Sequence, residues 1–190
     1  MKIKNLILVG LLCSFTVGCV TTTGISRYDK AYSGASPKEL YKAGNRYAKG
    51  LGVKRNYAKA VTYLKHAADE GNSNAQTSLG VRYLSGQGIK KDYTTAKDWF
   101  LKAAAQNNPY AENQLGYMYA SGTGVEQNFN SAISWYQRAA DHGLASAQYN
   151  LGLMYINGIG TIVNKEKAKT LFKLASDRGF SPAKKALSEV

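Results

Sequence analysis

Residues 111–140 carry Leu115-Gly116-Tyr117-Met118-Tyr119, then Gly122-Thr123-Gly124-Val125, then Ala132, Trp135 and Ala139-Ala140. The small and aromatic residues of this stretch recur at a fixed step of 36 on both sides of it. Gly116 shares a column with Gly44, Gly80 and Gly152, and Tyr119 with Tyr47, Tyr83 and Tyr155. Gly122 aligns with Gly50, Gly86 and Gly158, and Gly124 with Gly52, Gly88 and Gly160. Ala132 aligns with Ala60, Ala96 and Ala168, and Ala139 with Ala67, Ala103 and Ala175. Six columns that hold phase through four units mark a repeat architecture, in which each unit buries its apolar face against the next.

Each unit reads as two helices. In unit two, Ser73 is placed to cap a helix running to about Ser85, and Gly86-Gln87-Gly88 breaks it. Asp92 or Tyr93 starts a second helix that runs to about Gln106. Ala75, Leu79 and Tyr83 share one face of the first helix, while Ala96, Trp99, Phe100 and Ala103 form the apolar face of the second. Ser181 to Val190 repeats the start of a unit, with Ala183 and Leu187 in the columns of Ala147 and Leu151. It is expected to close the open end of the stack, with Lys184 and Lys185 on its polar side.

These motifs resemble Sel-one-like repeats, which are relatives of tetratricopeptide repeats. The resemblance covers about residues 37–180 plus a partial fifth helix. It implies an all-α fold, a right-handed α-solenoid of four 36-residue helix-turn-helix repeats with a C-terminal capping helix. The units are expected at about 37–72, 73–108, 109–144 and 145–180, with the cap at 181–190. Unit one departs at Ala43, where the others have leucine, as suits an end unit. Unit four departs at Thr161 and Lys165, where the others have Val or Ile and an aromatic. Some secreted relatives carry a disulfide in every unit, and this chain lacks those cysteines.

The chain has 190 residues, 44% of them apolar and 19% charged, which suits a folded domain rather than a disordered one. Two Cys and two His do not make a disulfide scaffold or a structural zinc site, so neither metal nor cofactor is expected. Met1-Lys2-Ile3-Lys4 is basic, and an uncharged apolar run follows from Leu6 to Val17, too short to span a bilayer. This describes an export signal over 1–18. Phe15-Thr16-Val17-Gly18-Cys19 resembles the bacterial lipobox, which implies lipidation at Cys19 and anchoring to a membrane. An ordinary cleaved signal is the alternative. Val20 after the cysteine resembles the pattern sorted to the outer membrane, facing the periplasm. Residues 19–36, rich in Thr, Ser and Gly, read as a flexible tether.

With Leu79 at the centre of the buried face and about 100° per residue, Asn74, Thr77, Val81 and Leu84 fall on the far side of the first helix. Tyr110, Asn113, Tyr117 and Ala120 do so in unit three. In tetratricopeptide-like stacks that side lines a concave groove. These columns change from unit to unit, and tyrosine is a common interface anchor. A partner groove is therefore expected at Tyr41, Asn45, Thr77, Val81, Asn113, Tyr117, Tyr149 and Leu153. The alternative is that several of these pack against the adjacent first helix. Arg27 to Lys97 holds 14 basic and 5 acidic residues, a net +9, which suits anionic lipid heads or an acidic protein partner; the alternative, better for many of these lysines, is solvated helix surface. An exported chain seldom meets nucleic acid, so none is expected.

The sequence shows no catalytic constellation: no Gly-x-Ser-x-Gly elbow and no phosphate loop. His66 and His142 read as surface or helix-end residues, and the repeated Gly-x-Gly pairs as turns. The expected function is non-catalytic: a lipid-anchored scaffold that docks another protein. A narrower alternative, implied by resemblance to exported Sel-one-like immunity proteins, is neutralisation of a secreted lipase-like effector of type VI secretion. An enzyme acting on the cell wall and a spacer between outer membrane and wall are minor alternatives.

Overall fold

A computed structural model of the protein describes residues 34–189. The expected signal segment 1–18, Cys19 and most of the tether lie outside the described residues. The described helices are α1 (Pro37–Lys49), α2 (Tyr57–Asp69), α3 (Ser73–Ser85), α4 (Tyr93–Ala104), α5 (Pro109–Ser121), α6 (Phe129–Asp141), α7 (Ala145–Asn157), α8 (Lys165–Asp177) and α9 (Ser181–Ser188). All regular structure among the described residues is helical, and the helices pack in chain order, each extensively against the next. Four helix pairs and a closing helix make an α-solenoid. No helix of the described residues is long and apolar enough to cross a membrane.

The second helix of every unit starts on a capping side chain. Asn56, Asp92, Asn128 and Asn164 accept from the backbone N–H three residues on, which satisfies an otherwise orphaned helix donor. The backbone N–H of each cap donates to the carbonyl of Tyr47, Tyr83, Tyr119 or Tyr155 at 2.9–3.0 Å, tying the loop to the first helix. Ser36, expected at the end of the tether, opens α1 through a reciprocal capping box with Glu39. Unit two corrects two expected boundaries. Asn72, not Ser73, caps α3, accepting from the N–H of Ala75 at 2.9 Å. The second helix stops at Ala104 rather than Gln106, because Asn107 turns the chain with a φ of 58°.

The repeated small residues mark close approaches. Ala60, Ala96, Ala132 and Ala168, and Ala67, Ala103, Ala139 and Ala175, are all fully buried. The first-helix glycine of each unit receives a side chain from its own second helix. A Cβ at Gly80 would lie 2.6 Å from Phe100, one at Gly116 2.6 Å from Tyr136, and one at Gly44 2.8 Å from Leu64. Burial pushes the Tyr136 phenol up to about 12, with Tyr117 adding to the shift. At the end of the stack Ala183 is the buried residue of α9, while Lys184 and Lys185 on the same helix are exposed.

Candidate functional site

The first helices of units one to three, α1, α3 and α5, bound a depression of about 470 Å³. Tyr41 comes from α1; Asn74, Thr77, Ser78, Val81 and Arg82 from α3; Tyr110, Asn113 and Gln114 from α5. Of the eight expected groove residues, Tyr41, Thr77, Val81 and Asn113 lie on this lining. Thr77 is nevertheless nearly buried, its hydroxyl donating to the Ser73 carbonyl at 2.9 Å. Asn45, Tyr117, Tyr149 and Leu153 lie off it. Tyr117 is 48% exposed on α5, and Asn45 and Leu153 are half-buried. Tyr149 turns toward the end of the stack, its ring 5.7 Å from Phe172 and 5.4 Å from Phe180.

Ser78, Arg82 and Gln114 line the depression although the helical wheel sets them away from the far side. For Arg82 and Gln114 the reason is length: the wheel locates a Cβ, and a long side chain carries its head group well round the helix. Arg82 shows this best. Its column is Arg46, Met118 and Met154 in the other units, and both methionines are buried. The Arg82 stem takes the methionine path, and the guanidinium then emerges 5.2 Å from the Tyr57 ring and donates to Gln87 Oε1. Nε of Arg82 is buried without a hydrogen-bond partner, and desolvation pulls its pKa below the ordinary arginine value. No carboxylate lines the depression.

A second polar cluster joins units two and three. Glu112 is fully buried on α5. Its Oε1 is 3.0 Å from Arg138 Nη2, and its Oε2 is 2.8 Å from His142 Nδ1. Arg138 Nη2 also donates to the Ala104 carbonyl at 3.3 Å and its guanidinium lies 4.8 Å from the Trp135 ring. His142, expected as a surface or helix-end residue, is the C-cap of α6 and is also half of a pair that anchors a buried charge. A carboxylate with no exposed surface cannot meet a substrate, so the cluster is an internal tie rather than an acid/base site. Among the described residues, no group of His, Cys, Asp and Glu is placed to hold a metal ion.

The unit boundaries set by these helices, and the glycines that receive each ring, can be compared with known repeats. A profile described as Sel1 repeat matches four times, over residues 40–72, 73–108, 109–144 and 145–180. The chain belongs to the Sel1 repeat family. Among solved structures, a Sel1 repeat protein from Oxalobacter formigenes is 36% identical with a TM-score of 0.79, covering 87% of this chain and 67% of that one. The protective antigen c5321 of uropathogenic Escherichia coli, described as displaying an SLR fold, is also 36% identical, with a TM-score of 0.75. It covers 86% of this chain, which spans only 35% of that protein's length. An immunity protein of Pseudomonas aeruginosa, Pa5087, shares the fold at 23% identity and a TM-score of 0.58, covering 84% of this chain and 59% of that one. Comparison with curated proteins found no match. Sel1 repeats are generally interaction modules without catalysis, and the face left open by this Sel1 stack is the one carrying the depression.

Proposed function

We propose that this Sel1 repeat protein is a non-catalytic scaffold of the bacterial envelope that docks a protein partner on its first-helix face. The observation that carries the reading is the depression across α1, α3 and α5. The helices that bound it repeat their buried columns unit after unit, whereas the residues at its surface differ in each. A stack that conserves its own packing internally and varies one open face has that face available for recognition. Tyr110, 61% exposed at the rim, is a large amphipathic anchor of the kind interfaces use.

Lipidation at Cys19, with the chain held at the outer membrane and facing the periplasm, is part of the same proposal and is supported by the sequence of residues 1–20. The narrower immunity reading has the partner as a secreted, lipase-like effector; the solved immunity protein shares the fold alone. A photoreactive residue in place of Tyr110, crosslinked in living cells, tests the docking reading. A discrete crosslinked partner is expected, and its identity separates an effector from an envelope protein. Absence of any crosslink from Tyr110 or from Asn113 defeats the docking reading. Cys19→Ala is expected to move the protein from the membrane to the soluble fraction.

A further inference from the structure

We propose that the depression is an anchor site for an acidic side chain, an Asp or Glu of the partner's docking segment, held by Arg82 between the amides of Asn74 and Asn113. The inference rests on the docking reading and adds the chemistry of what is docked.

Three observations converge on it. The first is the orientation of the two amides. Asn74 Oδ1 accepts from Asn108 Nδ2 at 2.9 Å, and Asn113 Oδ1 accepts from Asn150 Nδ2 at 3.1 Å. With one oxygen engaged by Asn108, the cap of α5, and the other by Asn150 of α7, each lining asparagine presents its NH₂ as the end left for a ligand. The ladder that joins units two, three and four therefore orients two donors on the same depression. The second is Arg82, a partly desolvated cation on the lining whose guanidinium meets Gln87 Oε1 and the Tyr57 ring but has no ion pair among the described residues. A half-buried guanidinium without a carboxylate forfeits hydration that an anion would restore. The third is what surrounds it. The lining holds one cation, no carboxylate, and otherwise hydroxyls, amides, two tyrosines and a valine. Residues 34–104, which span α1 to α4, hold 13 basic and 5 acidic residues, a net +8.

Donors converging on a depression of about 470 Å³ select an acceptor-rich group, and the volume is in the range of a small-ligand site. A segment with several acidic side chains is also steered by the whole basic half, which a single chain terminus would exploit far less. The occupant is therefore an acidic stretch of polypeptide rather than a free carboxyl end.

Amide chemical shifts of the full chain test this with three probes: Ac-Gly-Glu-Tyr-Glu-Gly-NH₂, its glutamine analogue with both ends blocked, and that analogue with a free carboxyl end. The glutamate probe is expected to move the signals of Thr77, Ser78 and Asn113. It should bind about tenfold more tightly than the blocked glutamine probe, the size of one charge-assisted hydrogen bond. Arg82→Met, the residue of units three and four, is expected to abolish that tenfold preference while helical content is kept; Arg82→Lys should retain most of it. Asn113→Asp preserves the bond from Asn150, removes the NH₂ donor and adds a repelling charge, so it should also abolish the preference even if Arg82→Met fails to fold. Equal binding of the glutamate and blocked glutamine probes at these amides overturns the acid assignment and leaves the docking site standing. Preference for the free carboxyl end overturns the side-chain assignment. No shift at these amides, with the Tyr110 crosslink intact, overturns the anchor; if the crosslink is absent too, the docking reading fails with it.

Discussion

Glu112 stands where units two and four place Gln76 and Gln148, and the difference of one atom rearranges its surroundings. Gln76 Nε2 donates to the Ala68 carbonyl at 3.1 Å, and Gln148 Nε2 to the Ala140 carbonyl at 3.3 Å. A carboxylate has no proton to give, so the equivalent carbonyl of Ala104 accepts from Arg138 instead. Oε2 of Glu112 meets His142 just as Gln76 Oε1 accepts from Gln106, 30 residues on. Arg138→Ala is therefore expected to leave a fully buried charge with only His142 for company, costing about 3 kcal/mol in urea unfolding. Adding Glu112→Gln should recover most of that loss, because the new amide reaches Ala104. A single variant no less stable than the parent, or a double variant no better than the single, would show that Arg138 does not act through Glu112.

At the scale of the element, the second glycine of each loop serves two purposes that unit one separates. Gly52, Gly88, Gly124 and Gly160 all have positive φ, between 67° and 81°. A Cβ on Gly88 would fall on the Tyr57 backbone, one on Gly124 on Tyr93, and one on Gly160 on Phe129, each at the start of the preceding unit's second helix. Gly52 has no preceding unit, and its nearest neighbour is the tip of Arg46 at 3.7 Å. Gly52→Ala should cost only the left-handed backbone term of about 1–2 kcal/mol. Gly88→Ala should add an overpacking term of about 1–3 kcal/mol, because backbone cannot step aside. Comparing the two melting temperatures checks this: equal losses would mean that turn geometry alone explains the column. Helix ends obey the same local logic, with Asn107 in the left-handed turn that Gly71, Gly143 and Gly179 make elsewhere.

In the whole molecule, packing between neighbours in chain order makes stability nearly a sum of units and their interfaces. The closing helix α9 covers α8, and Phe180 at its start holds Tyr149. Deleting residues 180–190 should uncover α8 and release Tyr149, which earlier units have no aromatic partner to mimic. Hydrogen exchange is expected to show α7 and α8 losing protection while α1 to α4 keep theirs. Uniform loss along the chain would instead mean that the stack unfolds as one cooperative block.

The helix pairs, the unit-two boundaries to within two residues, and the closing helix were legible in the amino-acid sequence because they answer local demands that recur every 36 residues: a glycine beneath a large side chain, an alanine at a crossing, a breaker after the last turn. Helical periodicity, which separates repeating columns from varying ones, placed Tyr41, Thr77, Val81 and Asn113 on the lining of the depression but not Asn45, Tyr117, Tyr149 or Leu153. What the wheel could not supply was the identity of the groups that meet there. Arg82 travels round its helix on a long stem, Tyr149 turns to Phe180, and Asn74 and Asn113 owe their orientation to asparagines 34 and 37 residues away. Glu112 finds His142 only because the two helices of unit three, α5 and α6, pack as a hairpin, and Arg138 then reaches back to Ala104 of unit two. Composition and period determined the elements and their order by themselves. Only the stacking decided which polar atoms are satisfied within the protein and which are left to be satisfied by something else, because that depends on distances between side chains that no single helix contains.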